Sequence, residues 1–270
     1  MVRKAFMTAL FMVSVIPAVA CAHVEKANVV DVRVLSDRGV EFAKYRTYPR
    51  LRQEGSFFYV EAVKGDRYSI QVTNKSGRRI GVVIAVDGRN IINGKKSDLR
   101  QNEQMYIIGP YESNTFEGWR TAMDRTNRFY FTEASDSYAE KVFADASAMG
   151  TIALAVYREK FPEVIPYSER QSQMRDAPAA AAPPGRSESS AAGKLEKKKD
   201  EEAGTGFGET TYSPARAVHF DPEQGPAEKI VLKYEWRSEL CKKEIIQCGP
   251  KNRLWPEDWD FAPIPKDFRS

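Results

Sequence analysis

Residues 68–94 read YSIQVTNKSGRRIGVVIAVDGRNIING, and this stretch decides the fold class. Tyr68, Ile70 and Val72 alternate with polar residues, which is the period-2 pattern of a strand with one buried face. Residues 80–86 form a β-branched run that is apolar on both faces, as expected of a central strand. Asp87-Gly88 follows this run and is a strong hairpin signal, because a type I′ turn needs positive φ at its central positions. The stretch therefore predicts successive antiparallel strands joined by short turns.

Strand-like segments continue on both sides of this stretch, with one helical segment near residues 137–146. Short strands at this spacing are typical of a sandwich, in which two sheets bury their apolar faces against each other. We therefore expect residues 27–162 to form an antiparallel β-sandwich, with a small barrel as the alternative. The further strand candidates are residues 29–35, 40–45, 57–63, 105–108, 116–120, 127–132 and 151–157.

The composition changes after this domain. Residues 163–203 are rich in Ala, Pro, Ser and charged residues and contain few large apolar side chains, which predicts a disordered linker. Residues 204–270 then contain strand candidates at 217–220 and 229–236. A two-stranded hairpin is marginal by itself, so we expect this C-terminal part, with a following helix and an aromatic tail, to dock on the sandwich. A separate small domain is the alternative.

The N-terminus has the pattern of a secretory signal peptide, spanning residues 1–20. Arg3 and Lys4 supply positive charge, residues 5–16 are apolar, and small residues 18–20 precede the expected cleavage site. The apolar segment is too short for a membrane span. The alternative is a buried N-terminal helix. The short signal is typical of bacteria, so we expect an exported bacterial protein in the periplasm or anchored to a membrane.

Cys21 directly follows Ala20, as the acylated cysteine does in the lipobox of bacterial lipoproteins. Ala18 stands where those motifs usually carry Leu, so cleavage without lipid attachment is the alternative. If Cys21 is acylated, it anchors the protein to the membrane.

The other two cysteines, Cys241 and Cys248, are candidates for a disulfide, because an exported chain enters an oxidising compartment. Within one continuous helix they would lie about 10 Å apart, which is too far for a bond. Gly249-Pro250 indicates a turn that brings them together. Two unpaired thiols are the alternative.

Composition argues against several classes of function. The formal net charge of +4 is small for 270 residues and gives no reason to expect nucleic acid as a partner. Two His and three Cys leave few metal ligands, so we expect neither a metal nor another cofactor. Gly204, Gly206 and Gly208 lack the preceding strand and following Lys-Ser/Thr of a phosphate loop.

Candidate catalytic groups are sparse. A sandwich could bring Asp87, Glu117 and Asp136 together as a carboxylate pair for glycoside hydrolysis, but nothing in the sequence fixes their separation. Asp87 also has a structural role in its turn. His219 lies in a predicted strand without a nucleophile motif. We therefore assign no catalytic residue, and keep a carboxylate-dependent hydrolase of an envelope polysaccharide as the alternative function.

A binding surface could be built from aromatic residues by stacking on a sugar or peptide. Trp119 and Arg120 are adjacent, and Trp255 and Trp259 lie in the tail, so these four are the candidate binding residues. The alternative for Trp119, which we favour because large aromatic side chains dominate protein cores, is that it fills the core of the sandwich.

Five short motifs, taken in order, resemble a family of exported bacterial β-sandwich proteins with no established activity. They are VDGRNIING at 86–94, GWR at 118–120, FYFT at 129–132, SYA at 137–139 and GTGFG at 204–208. The resemblance implies that the sandwich and the C-terminal part belong together, and it implies no catalytic residue. The expected function is a non-catalytic binding or structural module of the cell envelope, whose partner is an envelope protein or polysaccharide.

Overall fold

The computed structural model describes residues 28–47, 55–160 and 202–248. Within these ranges the protein is mainly β, which confirms the predicted fold class. The strands are β1 (Val30–Ser36), β2 (Lys44–Thr47), β3 (Ser56–Ala62), β4 (Arg67–Asn74), β5 (Ile80–Val86), β6 (Arg89–Asn90), β7 (Tyr106–Ile108), β8 (Ser113–Phe116), β9 (Gly118–Ala122), β10 (Arg125–Glu133), β11 (Thr151–Arg158), β12 (Ala203–Thr205), β13 (Thr210–Tyr212) and β14 (Glu228–Trp236). The helices are α1 (Tyr138–Phe143), which follows a short 3-10 turn at Ala134–Asp136, and α2 (Arg237–Lys242).

The first sheet is built around β4 and β10. Its order is β1-β4-β10-β12, with β8 beside β4 and with β9 and β13 beside β10. All of these pairings are antiparallel. The C-terminal part of the chain therefore contributes β12 and β13 to one edge of this sheet.

The second sheet has the order β2-β3-β14-β11-β5-β6, with β7 also paired to β5. β14 lies in its interior, parallel to β3 and antiparallel to β11. Ile230 of β14 lies opposite Leu154 of β11 on one side and opposite Ser56 of β3 on the other. The C-terminal part of the chain is therefore an integral strand of this sheet.

The core lies between the two sheets. Tyr68, Ile70 and Val72 of β4 are all fully buried, as their alternation predicts. β5 is buried along its whole length because it is covered on both faces. Its outward-facing Val83 packs with Ala155 and Tyr157 under the loop that carries Leu99.

The two ends of the sandwich are distinct. β5 runs toward the end that holds α1 and β12, which we call the helix end. β14 begins at the opposite end, where the Glu228 carboxylate accepts hydrogen bonds from the backbone N–H of Val29 (2.6 Å) and Val30 (3.1 Å). β1 starts at this second end, which we call the N-terminal end.

The C-terminal part departs from the sequence prediction. Residues 217–220 have no regular structure and form no hairpin with β14. Instead, Phe220 lies over Gly81 on the outer face of the second sheet, where a Cβ at Gly81 would come within 2.7 Å of the phenylalanine ring. The apolar residues of 217–220 therefore cover a sheet rather than extend one, and Ala203, placed in the linker by composition, belongs to β12.

Several predictions fall outside the described residues. They are the signal peptide at 1–20, the lipid site at Cys21, the linker up to residue 201 and the tail residues Trp255 and Trp259. Among the described helices, none combines the length and the apolar character needed to cross a bilayer.

Candidate functional site

The helix end of the sandwich gathers residues from all five sequence motifs. Trp119 of β9 packs against Tyr138 of α1, with ring centroids 4.6 Å apart, and its indole N–H donates to the Gly206 carbonyl at 3.1 Å. Tyr138 in turn stacks on Phe207, with centroids 5.1 Å apart. Residues far apart in the chain thus form one closely packed cluster at this end of the sandwich.

Asp87 lies at the centre of a buried hydrogen-bond network beneath this cluster. It is only 1% exposed and has a positive φ of 47°, as its position in a tight turn requires. Its carboxylate accepts hydrogen bonds from the backbone N–H of Gly150 (2.8 Å) and Thr205 (2.8 Å) and from the Tyr234 hydroxyl (2.5 Å). The side chain therefore ties β11, β12 and β14 to the end of β5.

The buried hydroxyl groups continue this network across both sheets. Thr205 Oγ1 lies 2.7 Å from the Tyr234 hydroxyl and 2.7 Å from the Tyr68 hydroxyl. Because Tyr234 donates to Asp87, the other bonds can follow in one direction, with Thr205 donating to Tyr234 and Tyr68 donating to Thr205. Each of these three hydroxyl groups then has a partner, which is the condition under which a buried polar network rigidifies a core.

The surroundings change the acidity of these groups. Burial raises the pKa of Asp87 from its ordinary value of 3.8 to about 6, although the donors from Tyr234, Thr205 and Gly150 act in the opposite direction. Burial, with the nearby Asp87 carboxylate, raises the pKa of both Tyr68 and Tyr234 well above 10. Both tyrosines are therefore neutral donors at physiological pH.

The GTGFG motif has a packing role that its composition alone did not indicate. A Cβ at Gly206 would lie 2.1 Å from the Tyr130 ring, so this backbone can approach β10 only as glycine. The close approach holds residues 203–209 along β10 and presents Phe207 at the surface. These glycines are thus fitted to a rigid edge of the first sheet.

A group of four apolar side chains centred on Tyr138 reaches solvent at the helix end, and we call it the end patch: Tyr138, Val142, Phe143 and Phe207. Val142 is 57% exposed, Phe207 42% and Phe143 38%. Phe143 meets the half-buried Tyr138 edge to face, with centroids 5.5 Å apart. The two exposed rings therefore flank Tyr138, which rests on the buried Trp119.

Arg89 borders the end patch. Its guanidinium carbon lies 4.0 Å from the centroid of the Phe143 ring, a cation–π contact, and its Nη2 donates to Asp145 at 2.6 Å. Only 10% of the Arg89 side chain is exposed, and its buried Nε has no hydrogen-bond partner. Buried Arg donors are rarely left unpaired, so this one marks an unusual site.

The structure places Trp119 in the core, not on a binding surface. It is 2% exposed and therefore cannot offer a ring face to a ligand. Arg120 is also engaged internally, because its Nε donates to the Tyr106 hydroxyl (2.8 Å) and its Nη1 to the Ser213 carbonyl (2.9 Å). Trp119 and Arg120 are thus both engaged within the fold, while the exposed aromatic residues of the end patch are Phe143 and Phe207.

The three candidate carboxylates have separate surroundings. Asp87 is enclosed in the core, Glu117 faces Arg128 at 3.9 Å, and Asp136 pairs with Lys141 at 2.8 Å. None of them lines the surface cavity of about 460 Å³ beside Leu99 and Tyr157 or the one of about 640 Å³ beside the disulfide. A buried Asp87 cannot act on a substrate together with either surface carboxylate. The described residues also contain no group of three or more His, Cys, Asp or Glu side chains placed to hold a metal ion.

Cys241 and Cys248 are joined by a disulfide, with their Cα atoms 5.5 Å apart. Cys241 lies in α2, which ends one residue later, and Glu244 adopts a positive φ of 56° that turns the chain back. The bond thus closes the segment that follows β14.

Sequence reasoning missed Arg89, Phe143, Asp145 and Phe207. Phe207 lies within the GTGFG motif and Arg89 within VDGRNIING, so motif membership was the only signal for either. Nothing in the sequence of α1 shows which of its aromatic residues faces solvent.

Comparison of the chain with models of protein families found no match, and comparisons with curated proteins and with solved structures also found none.

Proposed function

We propose that this chain is an exported bacterial cell-envelope protein that acts as a non-catalytic binding module, and that the end patch is the surface through which it binds a protein partner. The observation that carries this proposal is the cluster of exposed apolar side chains around Tyr138. Contiguous exposed apolar groups on a soluble domain mark interaction sites, whereas single exposed ones do not.

A protein partner fits the geometry of these rings better than a polysaccharide does. A sugar stacks on an open aromatic face, but the Tyr138 ring is flanked by Phe207 at 5.1 Å and by Trp119 at 4.6 Å. The end patch instead offers the partly exposed rings of Phe143 and Phe207 and the aliphatic Val142 beside a buried arginine. Aromatic and arginine side chains of this kind are enriched at the energetic centres of protein interfaces.

The hydrogen-bond network beneath the end patch also supports a binding role. The Asp87 network fixes β12, and the bond from the Trp119 indole N–H to Gly206 fixes the backbone next to Phe207. A surface that is already ordered loses little conformational entropy when it binds.

Site-specific photocrosslinking tests the surface directly. With a photoreactive phenylalanine analogue at position 143 or 207, we expect a discrete adduct with one envelope protein in intact host cells. The matched control carries the analogue at Tyr212, which is 75% exposed on β13 outside the end patch. In a pull-down of the partner identified in this way, Phe143→Ser with Phe207→Ser should reduce capture about 30-fold, since an anchor at an interface contributes about 2 kcal/mol. Equal adducts at all three positions would count against the end patch.

Export and anchoring are part of the same proposal. The basic, apolar and small-residue segments of residues 1–20, followed by Cys21, support export with acylation at Cys21. The disulfide between Cys241 and Cys248 suits an oxidising compartment.

We expect the wild-type protein in the membrane fraction and Cys21→Ser in the soluble periplasmic fraction, as judged by fractionation and immunoblotting. Cys241→Ser is the control, because it removes a cysteine without touching the anchor. A Cys21→Ser protein that fractionates like the wild type would exclude the lipid anchor. Unprocessed protein in the cytosol would exclude export altogether.

A further inference from the structure

Resting on the proposed function, we propose that the end patch selects an acidic segment of its partner, in which a carboxylate accompanies an apolar or aromatic side chain. The carboxylate is recognised by Lys95 and Lys96, beside Arg89.

Arg89 and Lys96 lie directly opposite each other in an antiparallel bridge. Side chains at such a position leave the same face, with their Cβ atoms about 5 Å apart, and two like charges there repel each other. Lys95 is adjacent, and its carbonyl accepts the hydrogen bond from the Asn90 N–H at 2.9 Å. Arg89 and Lys96 thus place two cationic side chains on the face that carries the Phe143 ring, and the exposed Lys95 is the next residue in the chain.

Asp145 is the carboxylate that faces this group. Its Oδ2 accepts from Arg89, and its Oδ1 accepts from the Ser147 N–H (3.0 Å) and hydroxyl (2.6 Å). Burial raises the pKa of Asp145, but the Ser147 hydrogen bonds and the charges of Arg89 and Lys96 together hold it below the ordinary value. Asp145 is therefore ionised, and its oxygens are already engaged.

The local charge is consequently unbalanced. Glu103 is nearby, but its carboxylate binds the backbone N–H of Asp98 and Arg100 and the Asn90 side chain. Within the described ranges, Lys95 and Lys96 form no ion pair, and both are exposed. An apolar surface bordered by unpaired positive charge is complementary to an apolar, negatively charged segment.

The test uses three small probes that share one indole ring and differ in charge. They are N-acetyltryptophan, which is anionic, N-acetyltryptophanamide, which is neutral, and tryptamine, which is cationic. Each is titrated into ¹⁵N-labelled protein of residues 22–270, and the amide shifts of Phe143, Phe207 and Lys96 are followed. We expect the anionic probe to bind about threefold more tightly than the neutral one, as partly exposed charge pairs allow, and the cationic probe to bind most weakly.

Charge reversal separates recognition from a general effect of net charge. Lys95→Glu with Lys96→Glu should invert the order of the three probes. Lys75→Glu with Lys229→Glu makes the same change in net charge at exposed lysines of the N-terminal end and should leave the order unchanged. The differences in affinity between the three probes should also become smaller at high salt, because exposed charges are screened.

The outcomes distinguish the two levels of the proposal. If all three probes shift the end-patch amides with equal affinity, the preference for an acidic partner is overturned while the binding surface stands. If no probe shifts these amides, the binding surface itself is overturned. If both double variants change the order of the three probe affinities in the same way, selection by Lys95 and Lys96 is overturned.

Discussion

Removal of residues 203–270 is expected to abolish the folded state of the remaining chain, rather than to release a separate domain. β14 lies between β3 and β11, so its loss splits the second sheet into two parts. β2 and β3 would remain as an isolated two-stranded ribbon, which is not stable in water. Ile230, Leu232 and Tyr234 would also leave the core, where they are at most 5% exposed.

The size of this effect follows from the burial of those three side chains. Each contributes about 2 kcal/mol of transfer free energy, and the lost backbone pairing adds to that sum. The net stability of a domain is only about 5–15 kcal/mol, so the remainder cannot compensate. We expect the shortened chain to give a circular-dichroism spectrum of an unfolded protein and no cooperative urea transition.

Two control experiments show whether the loss of the fold is due to the loss of β12, β13 and β14. A chain that ends at Cys248 keeps every described strand and should unfold cooperatively, near the wild-type midpoint. Supplying residues 203–270 as a separate polypeptide should restore the fold of the shortened chain, because the contacts of β12, β13 and β14 do not require a covalent link. A shortened chain that unfolds cooperatively at the wild-type midpoint would show that β14 is dispensable.

The contrast between β5 and β14 shows which parts of this fold the sequence reveals. Both strands were predicted, at residues 80–86 and 229–236, because their apolar pattern is a local property. The position of β14 was not, because its neighbours β3 and β11 lie far away in the chain. The apparent hairpin at 217–236 was wrong since Val218 and Phe220 alternate as in a strand, yet Phe220 packs over Gly81.

In the candidate site, too, some features were predictable from the sequence and others were not. Asp87 was predicted to be a turn residue, and its φ of 47° agrees with that prediction. Its role as the acceptor of hydrogen bonds from Gly150, Thr205 and Tyr234 could not be predicted, because it depends on contacts between distant segments. The alternative that placed Trp119 in the core is confirmed by its 2% exposure. The exposure of Phe143 and Phe207 was not predicted, because it depends on how α1 and residues 203–209 pack, and no local sequence pattern indicates that packing.

Asp87→Ala is expected to lower the free energy of unfolding by about 4 kcal/mol at neutral pH. The substitution leaves the N–H groups of Gly150 and Thr205 and the hydroxyl of Tyr234 buried without their acceptor. Each such group costs about 1–3 kcal/mol, and alanine is also strained at positive φ. Urea denaturation measures the change. Asp136→Ala is the control, because it removes an exposed carboxylate whose ion pair with Lys141 is screened by solvent and contributes little to stability.

The pH dependence of stability should carry the signature of the same carboxyl group. Because the pKa of Asp87 rises from 3.8 to about 6 on folding, the folded state holds the proton more tightly than the unfolded state does. Its contribution to stability is therefore fully present below pH 4 and is lost as the pH rises through 6. A shift of about two units corresponds to about 3 kcal/mol between these limits.

Asp87→Asn isolates this contribution, because asparagine tolerates the positive φ and does not titrate. Urea unfolding of both proteins between pH 4 and pH 7 gives the difference in their stabilities, in which the other titrating groups cancel. We expect the wild type to lose about 2.4 kcal/mol relative to Asp87→Asn across this range, with the change centred between pH 4 and pH 6. If the wild type instead gains stability relative to Asp87→Asn as the pH rises, the donors from Gly150, Thr205 and Tyr234 outweigh burial. Asp87 would then be an anion that the fold stabilises rather than one that it penalises.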